Sequence, residues 1–310
     1  GSTQSNVMGG VTGVGGVSPA SRVFWVYPQK HGTSPVVLCI SPKRNATPMT
    51  SSLHDWLKPD WPAPPQVQAL MTDRHGGVSQ APWDSMNLGD HVGDVPHSVQ
   101  VNRQRLQAAL GTRPVFLKQV HGVQTVVLDA ASEDGTQADA CIAVGPGVAC
   151  TIMVADCLPV LLCDTAGRWV VAAHAGWRGL AGEQGVGVLE TLLDTSPLSD
   201  TPPDRLLAWL GPCIGPQAFE VGPEVMAAFG DADPAAAVFF KPLAQGKWLA
   251  DLAGLARLRL QRRGVNRIFG NDSQPAWCTV TQASWFFSHR RDARVLGQSG
   301  RMAACIWLTP

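Results

Sequence analysis

The chain of 310 residues is poor in charge, because Asp, Glu, Lys and Arg make up only 15% of it, against roughly a quarter in an average globular protein. Its 24 acidic and 24 basic residues balance, and it has no basic tract. A general nucleic-acid-binding protein would carry a basic surplus, since its affinity comes largely from phosphate contacts. We therefore expect no nucleic acid as a partner. With 45% hydrophobic residues the chain can still bury a core, which excludes a disordered protein.

Long apolar runs are also missing. The longest, residues 148–155, contains a Cys and a Thr and falls well short of the roughly 18 residues that a transmembrane helix needs. We expect no membrane as a partner. The N-terminus lacks a basic region followed by a compact Leu-rich segment, and Gly1-Ser2 resembles a cloning remnant, so we predict no signal peptide.

The eight cysteines are dispersed and form no C-x-x-C pair. Most lie inside apolar runs, where a free cysteine behaves as a small hydrophobic residue. This distribution predicts a reducing, cytoplasmic compartment without a disulfide framework. Neither a G-x-G-x-x-G nor a P-loop motif follows a predicted strand, so no dinucleotide or ATP site is indicated.

The composition divides the chain into two parts. Residues 1–55 are rich in Gly, Ser, Pro and Thr, which predicts an N-terminal extension that is largely mobile, because it buries little apolar surface. Residues 56–310 are predicted to form the catalytic part, a single domain. There, short β-branched apolar segments alternate with turns and helical patterns, which favours an α+β layered sandwich over a doubly wound parallel sheet.

Local patterns predict the main elements of this domain. The strands are expected at residues 148–154, 160–163, 169–173, 206–210, around 268 and at 303–308. Residues 115–120 and 123–128 are expected to form a strand pair around His121-Gly122. The helices are expected at residues 96–110, 180–194, 223–229 and 248–263, the last of them stopped by Gly264.

His121, Cys157 and His174 each follow or end a predicted strand and stand beside a small or turn-forming residue that exposes the side chain. Two imidazoles and a thiolate without a fourth protein ligand are what a catalytic zinc site requires, because the open position takes water or substrate. Taken singly, such a cysteine or histidine more often packs or caps than binds a metal. The interpretation therefore depends on the three residues converging.

Other polar, glycine-rich segments are candidates for ligand binding. Gly176-Trp177-Arg178-Gly179 precedes the predicted helix from Leu180, where free backbone N–H groups and the Arg178 guanidinium could bind phosphate or a carboxylate. A plain glycine turn with a surface arginine is the alternative. The loops around Arg74 and Asn87 are also dense in polar groups and glycine, which suits close backbone approach to a ligand.

Together these residues resemble the laccase-domain, YfiH-like family, whose members are described as purine nucleoside phosphorylases, polyphenol oxidases or peptidoglycan-editing factors. The resemblance runs from about Trp56 to Leu308 and covers ten short elements in order: TDRHGGVS, NLG, HVGD, KQVHG, ADA, ADCLPV, HAGWRG, GPCIGP, FEVG and FFSHRRD. Two departures are Ser299, where the family more often has Thr, and His289, where it often has Tyr. They bear on substrate preference rather than on the three metal-ligand candidates.

The resemblance implies an α/β/β/α layered fold with zinc held by His121, Cys157 and His174. It also implies phosphorolysis of adenosine, inosine or methylthioadenosine, with adenosine deamination as a companion reaction. Nucleoside and phosphate are then the small-molecule partners, whereas the oligomeric state stays open. We expect zinc to act as Lewis acid and template beside a phosphate held by Arg178. Further candidates for contacting substrate are Arg74, Asn87, Gln119 and Phe219.

Two other chemistries could use the same three side chains. A copper-dependent polyphenol oxidase is disfavoured because multicopper sites need many histidines, often as H-x-H pairs, and this chain has eight His and no such pair. A cysteine amidohydrolase acting on peptidoglycan precursors would use Cys157 as nucleophile and His121 or His174 as base. A non-enzymatic binding module would leave the three residues far apart.

Overall fold

The structure is a computed structural model that describes residues 55–310. The predicted extension, residues 1–55, lies outside the described residues except for Asp55. The helices are α1 (Pro96–Leu110), α2 (Trp177–Ala181), α3 (Val188–Leu193), α4 (Pro223–Gly230), α5 (Leu252–Arg262) and α6 (His289–Leu296). The strands are β1 (Val67–Met71), β2 (Arg113–Phe116), β3 (Thr125–Leu128), β4 (Ala140–Ala143), β5 (Val148–Val154), β6 (Leu158–Asp164), β7 (Val170–Ala175), β8 (Leu206–Leu210), β9 (Glu220–Val221), β10 (Phe240–Pro242), β11 (Trp248–Ala250), β12 (Ile268–Gly270) and β13 (Met302–Leu308).

Two mixed sheets form the centre of the domain. One has four strands in the order β1-β13-β5-β2, in which only the β2–β5 pair is parallel. The other has six strands in the order β12-β8-β6-β7-β4-β3, with parallel pairs at its two edges. A small antiparallel sheet, β10-β11-β9, lies beside them in the chain's second half.

The two large sheets pack face to face, and helices cover their outer faces. Cys150 and Ile152 of β5 belong to the apolar core between the sheets, whereas Ala149 and Met153 pack in a separate cluster with Leu106 of α1. Residues of β6 and β7 pack outward in a third cluster with α2, α3, α4 and α5. Because both faces of these strands are covered, they read as continuous apolar runs. The predicted α/β/β/α sandwich in a single domain is confirmed.

The strand pair predicted around His121 is wrong. The first segment ends at Phe116 and pairs with β5 in the four-stranded sheet, whereas Thr125–Leu128 pairs with β4 in the six-stranded sheet. The chain therefore crosses between the sheets at residues 117–124. His121 lies in this crossover with φ of 62°, which is left-handed backbone that interrupts a strand.

The helix predicted over residues 180–194 is two short helices, α2 and α3, joined by a loop. A Cβ atom at Gly187 would collide with the carbonyl oxygen of Leu180, and Gly182 has φ of 61°. Close backbone approach thus replaces the central turn of the predicted helix.

The segment predicted as a helix over residues 248–263 begins as strand β11. Asp251 then caps α5 by accepting a hydrogen bond of 2.8 Å from the Gly254 N–H, which starts the helix after the strand. The predicted stop is confirmed, since Gly264 follows the helix with φ of 79°. None of the helices within residues 55–310 combines the length and the apolarity needed to cross a bilayer.

Candidate metal centre and its cavity

His121, Cys157 and His174 converge from three separate connections of the fold. His121 lies in the crossover after β2, Cys157 in the turn between β5 and β6, and His174 near the end of β7. Their donor atoms all lie within 4.8 Å of one another. Cys157 Sγ lies 3.7 Å from His121 Nε2, and the two imidazole centroids are 4.7 Å apart. The predicted convergence is therefore present, which excludes the scattered arrangement of a binding module.

A buried carboxylate, Asp139, ties two of these residues together. Its Oδ1 accepts hydrogen bonds from His174 Nδ1 at 2.8 Å and from the His121 N–H at 2.9 Å. Its Oδ2 accepts from the N–H groups of Gly122 at 2.8 Å and Val120 at 3.2 Å. Because His174 Nδ1 donates to Asp139, Nε2 is the ring nitrogen that would bind a metal after losing its proton.

Two glycines allow the backbone to pass close to the centre. A Cβ atom at Gly176 would lie 2.8 Å from His121 Cδ2 and 2.9 Å from Cys157 Sγ. A Cβ atom at Gly179 would lie 2.8 Å from the Gly122 carbonyl oxygen. The glycines that flank Trp177-Arg178 are therefore required by space around the centre.

The turn that presents Cys157 is tightly constrained. Asp156 has φ of 93°, an uncommon backbone conformation for a residue with a side chain. Its carboxylate accepts hydrogen bonds of 2.6 Å from Thr279 Oγ1 and from the Arg290 N–H, and its carbonyl accepts one of 2.9 Å from the Ile214 N–H. These contacts hold the strained residue and so fix the direction of the neighbouring Cys157 side chain.

The charges of the centre favour an ion pair between Cys157 and His174. Burial alone would raise the pKa of the Cys157 thiol, but the charge of His174 and hydrogen bonds from both histidines lower it to about 6. Burial alone would lower the pKa of His174, but the charge of Cys157 and the hydrogen bond to Asp139 raise it to about 9. Without a metal, a thiolate therefore faces an imidazolium at neutral pH.

The donor set fits a zinc ion. With bonds of about 2.0–2.3 Å, two ligands of a tetrahedral zinc lie roughly 3.5 Å apart, close to the 3.7 Å between His121 Nε2 and Cys157 Sγ. A ligating histidine usually donates its other ring nitrogen to a carboxylate, as His174 does to Asp139. Two imidazoles and one thiolate leave a fourth position open for a small molecule.

The centre lies in the wall of a cavity of ≈ 1040 Å³. This volume is at the upper end of the range for small-molecule sites, roughly 300–1,000 Å³. Gln119, Arg178 and Phe219 also line it, as their predicted roles require, whereas Arg74 and Asn87 do not.

Arg74 is used inside the protein rather than at the cavity. Its Nε donates to the Asp84 carbonyl at 3.1 Å and its Nη1 to the Ala283 carbonyl at 2.9 Å. The guanidinium lies 5.0 Å from the centroid of the Phe287 ring. These contacts join two loops and give Arg74 a structural role, and its contact with substrate stays a prediction.

Asn87 is fully buried and all its polar side-chain atoms have protein partners. Its Oδ1 accepts from the N–H groups of Gly89 and Arg301, each at 2.9 Å. Its Nδ2 donates to the Gly89 carbonyl at 3.0 Å and to Asp94 Oδ2 at 2.9 Å. The protein itself therefore occupies both polar atoms of the Asn87 side chain, and its contact with substrate stays a prediction.

The three cavity-lining candidates differ in what they can offer a ligand. Gln119 bonds through both amide atoms to the Met153 backbone, at 2.7 and 2.8 Å, so it forms wall rather than a free polar contact. Arg178 is exposed and stacks on Trp177, with its guanidinium carbon 4.5 Å from the ring centroid. Phe219 is buried and presents an aromatic ring to the cavity.

The predicted contribution of a helix dipole beside Arg178 is corrected. The helix begins at Trp177 rather than Leu180, and α2 has only five residues. Few peptide dipoles add up over that length. The guanidinium of Arg178, rather than the dipole of α2, is therefore the main positive group at this position.

Two residues with evident importance to the site had no role in the sequence interpretation. Asp139 lies in the ADA element that begins an apolar strand, and an acidic residue at that position is a signal for a buried carboxylate. Arg301 lines the cavity and directly precedes the apolar run of β13. A charged residue at the end of an all-buried strand was the signal available in each case.

The chain is similar to known proteins over most of its length. The model of a family described as multi-copper polyphenol oxidoreductase laccase matches residues 68–309. A purine nucleoside phosphorylase of Pseudomonas aeruginosa is 50% identical over 257 residues, covering 83% of this chain and 99% of that protein. The Escherichia coli protein named purine nucleoside phosphorylase YfiH is 49% identical over 253 residues, covering 81% of this chain and 97% of that protein.

Solved structures show the same fold. A crystal structure of a Neisseria meningitidis protein has a TM-score of 0.75 at 45% identity, covering 83% of this chain and 100% of that one. YlmD from Geobacillus stearothermophilus has a TM-score of 0.71 at 30% identity, covering 79% of this chain and 93% of that one.

Proposed function

The chain belongs to the multi-copper polyphenol oxidoreductase laccase family, and on that premise we propose that it is a zinc-dependent purine nucleoside phosphorylase. Its substrates are adenosine, inosine and methylthioadenosine, with adenosine deamination as a companion activity. Support comes from the relatives named purine nucleoside phosphorylase. One observation carries the proposal: an open His–Cys–His centre lies in a cavity of ≈ 1040 Å³ that also presents arginines and an aromatic ring.

His121, Cys157 and His174 hold the zinc ion, and residues 56–310 make up the catalytic domain. When bound, zinc supplies Lewis-acid chemistry, polarising a substrate oxygen or lowering the pKa of a water molecule. Asp139 keeps the proton of His174 on Nδ1, so that Nε2 faces the metal. The seven described cysteines are all free of disulfides, which supports the cytoplasm as compartment.

The remaining cavity residues bind and orient the substrates. Phe219 offers an apolar aromatic face to the purine. Arg178, exposed at the cavity, attracts phosphate electrostatically. In phosphorolysis a phosphate oxygen bonds to C1′ of the ribose while the bond from C1′ to the purine nitrogen breaks. The chain's contribution is to hold both reactants in line and to shield them from water.

The test is incubation of the full chain with adenosine and with inosine, each with and without phosphate, followed by chromatography of the products. We expect free base and ribose 1-phosphate only with phosphate, and inosine from adenosine without it. Cys157→Ala should abolish both reactions. Cys163→Ala, at a buried cysteine of β6 outside the cavity, is the matched control and should retain them. Full turnover by folded Cys157→Ala protein would refute the proposal.

The thiolate and imidazolium pair favours a second candidate, a cysteine amidohydrolase in which His174, as base, has taken the Cys157 proton and the Cys157 thiolate is the nucleophile. Such an enzyme would lose activity to iodoacetamide and keep it in a chelator. A zinc enzyme would lose activity to the chelator, and its bound metal would protect the thiolate.

A copper polyphenol oxidase is a weaker candidate, since within residues 55–310 the centre is the only metal-binding cluster found and it has three ligands.

A further inference from the structure

Arg301 stands at the start of β13 and is held there by the loop that contains Asn87. The Arg301 N–H donates to Asn87 Oδ1 at 2.9 Å, and its carbonyl accepts a hydrogen bond of 3.0 Å from the Leu88 N–H. A Cβ atom at Gly89 would lie 2.8 Å from Arg301 Cγ, so the missing side chain leaves room for the arginine stem. The Asn87-Leu88-Gly89 segment therefore places this arginine.

The guanidinium of Arg301 is only partly used by the protein. Its Nη1 donates to the carbonyls of Ser299 at 2.9 Å and Gly300 at 3.1 Å. Neither Nε nor Nη2 has a hydrogen-bond partner in the described part of the chain, and no carboxylate there forms an ion pair with it. One edge of a planar, two-pronged donor is thus free, and that edge suits a tetrahedral oxyanion.

The surroundings add to this preference for an anion. Arg301 and Arg290 line the same cavity as the metal centre. Arg290 Nη1 donates to the Glu220 carbonyl at 3.0 Å, and its guanidinium likewise forms no ion pair among residues 55–310. Burial lowers the pKa of Arg301, and the charges of Cys157 and Asp156 oppose that effect without cancelling it. A half-buried guanidinium that forms no ion pair within the described residues is stabilised by a bound anion.

We propose that Arg301, assisted by Arg290, forms the phosphate-binding subsite of the cavity and takes a phosphate dianion through its free guanidinium edge. This deepens the proposed function, on which it rests for the role of phosphate in turnover. Arg178, which is exposed, then attracts the anion, whereas Arg301 fixes its position. The dianion could be inorganic phosphate or the 5′-phosphate of a nucleotide, and the experiment separates the two sources.

Calorimetric titration of the zinc-loaded full chain with inorganic phosphate tests the subsite directly. We expect Arg301→Gln to weaken phosphate binding by about 10- to 100-fold, because a charge-assisted pair of hydrogen bonds is lost. Arg294→Gln removes the same charge one turn beyond Arg290, outside the cavity, and should leave phosphate affinity unchanged. Equal phosphate affinity in wild type, Arg301→Gln and Arg294→Gln would overturn the proposal, as would a wild type that binds no phosphate.

If Arg301→Gln does not fold, the Arg301→Lys variant tests whether Arg301 binds phosphate. Lysine keeps the charge but not the two-pronged donor, so phosphate affinity should fall while the affinity for adenosine and the thermal unfolding midpoint stay the same. A parallel loss of adenosine affinity would indicate general damage to the cavity and would overturn the subsite. Titration with adenosine 5′-monophosphate identifies the source of the phosphate group. If adenosine and inorganic phosphate bind together, and the monophosphate binds no more tightly than adenosine, inorganic phosphate is the ligand.

Binding and turnover separate the two proposals. Phosphate binding that depends on Arg301 in a protein without phosphorolysis would refute the phosphorylase function and leave the subsite standing. Phosphorolysis with an unchanged phosphate KM in Arg301→Gln would refute the subsite and leave the phosphorylase function standing.

Discussion

Asp139 Oδ1 and His174 Nδ1 lie 2.8 Å apart, and both side chains are almost completely buried. The same carboxylate accepts backbone N–H groups from residues 120–122, the turn that carries His121. One side chain thus aligns two candidate metal ligands, one in the crossover between the sheets and one in β7.

Asp139→Asn should weaken zinc binding by about 10- to 100-fold, the usual cost of losing such a carboxylate partner. Asparagine has one acceptor oxygen and would turn its NH₂ group toward a donor, which costs about 1–3 kcal/mol of stability. Competition with a zinc-binding dye measures the affinity. Asp251→Ala, which removes the cap of α5, is the control: it should lower stability and leave zinc affinity alone. Wild-type zinc affinity in Asp139→Asn would contradict the assigned role.

In the metal-free protein, iodoacetamide should modify Cys157 rapidly at pH 7. Its pKa of about 6 means that the thiolate predominates above that pH, so the rate should fall as pH drops through 6. Burial raises the pKa of Cys163 and Cys305 to about 12, and these should stay unmodified. Peptide mapping by mass spectrometry measures each site, and zinc should protect Cys157. If the alkylation rate of Cys157 instead had its pH midpoint near the ordinary pKa of a thiol, the ion pair with His174 would not form.

Gly176→Ala should abolish zinc binding in a protein that still folds. The added methyl group would meet His121 and Cys157 at 2.8–2.9 Å, closer than van der Waals contact allows, so these ligands must move apart. Gly122→Ala is the matched control, because its Cβ would have no neighbour nearer than 3.5 Å. Metal content after gel filtration compares the two, and equal zinc in both variants would refute this steric account.

Arg74→Gln should lower stability by about 1–3 kcal/mol, because the carbonyls of Asp84 and Ala283 lose their donors. The KM for nucleoside should not change, since Arg74 lies outside the cavity. Urea unfolding and steady-state kinetics separate the two effects. A raised KM at unchanged stability would support the sequence-based assignment of Arg74 as a substrate contact.

Zinc removal should lower the thermal unfolding midpoint as well as activity. A ligand that binds only the folded state at 100 times its Kd stabilises it by about 2.7 kcal/mol. Zinc added back should restore both the unfolding midpoint and the activity. Differential scanning calorimetry measures the midpoint. Cys157→Ala should show no shift on adding zinc, so an equal shift in that variant would place the metal elsewhere.

Local patterns predicted the elements whose bounds are set by residues within the element or next to it in sequence. Helix α1 and strand β5 have the predicted bounds, because proline and glycine punctuate the helix and both faces of the strand are buried. The pairing of residues 115–128 and the helix over 180–194 were mispredicted. Each depends on contacts between segments distant in sequence or on close backbone approach, which a local pattern does not register.

The sequence by itself determined the class of site: His121, Cys157 and His174 are the right donor types for zinc, each beside a small or turn-forming residue that exposes the side chain. The tertiary structure decided how those donors are aligned and what surrounds them. Asp139 gained its role by lying beside His174, 35 positions away in sequence, and Arg301 by meeting the loop of Asn87, 214 positions away. Arg74 likewise gained its bond to Ala283, 209 positions away, because hydrogen bonds between distant segments depend on the packed fold rather than on order along the chain.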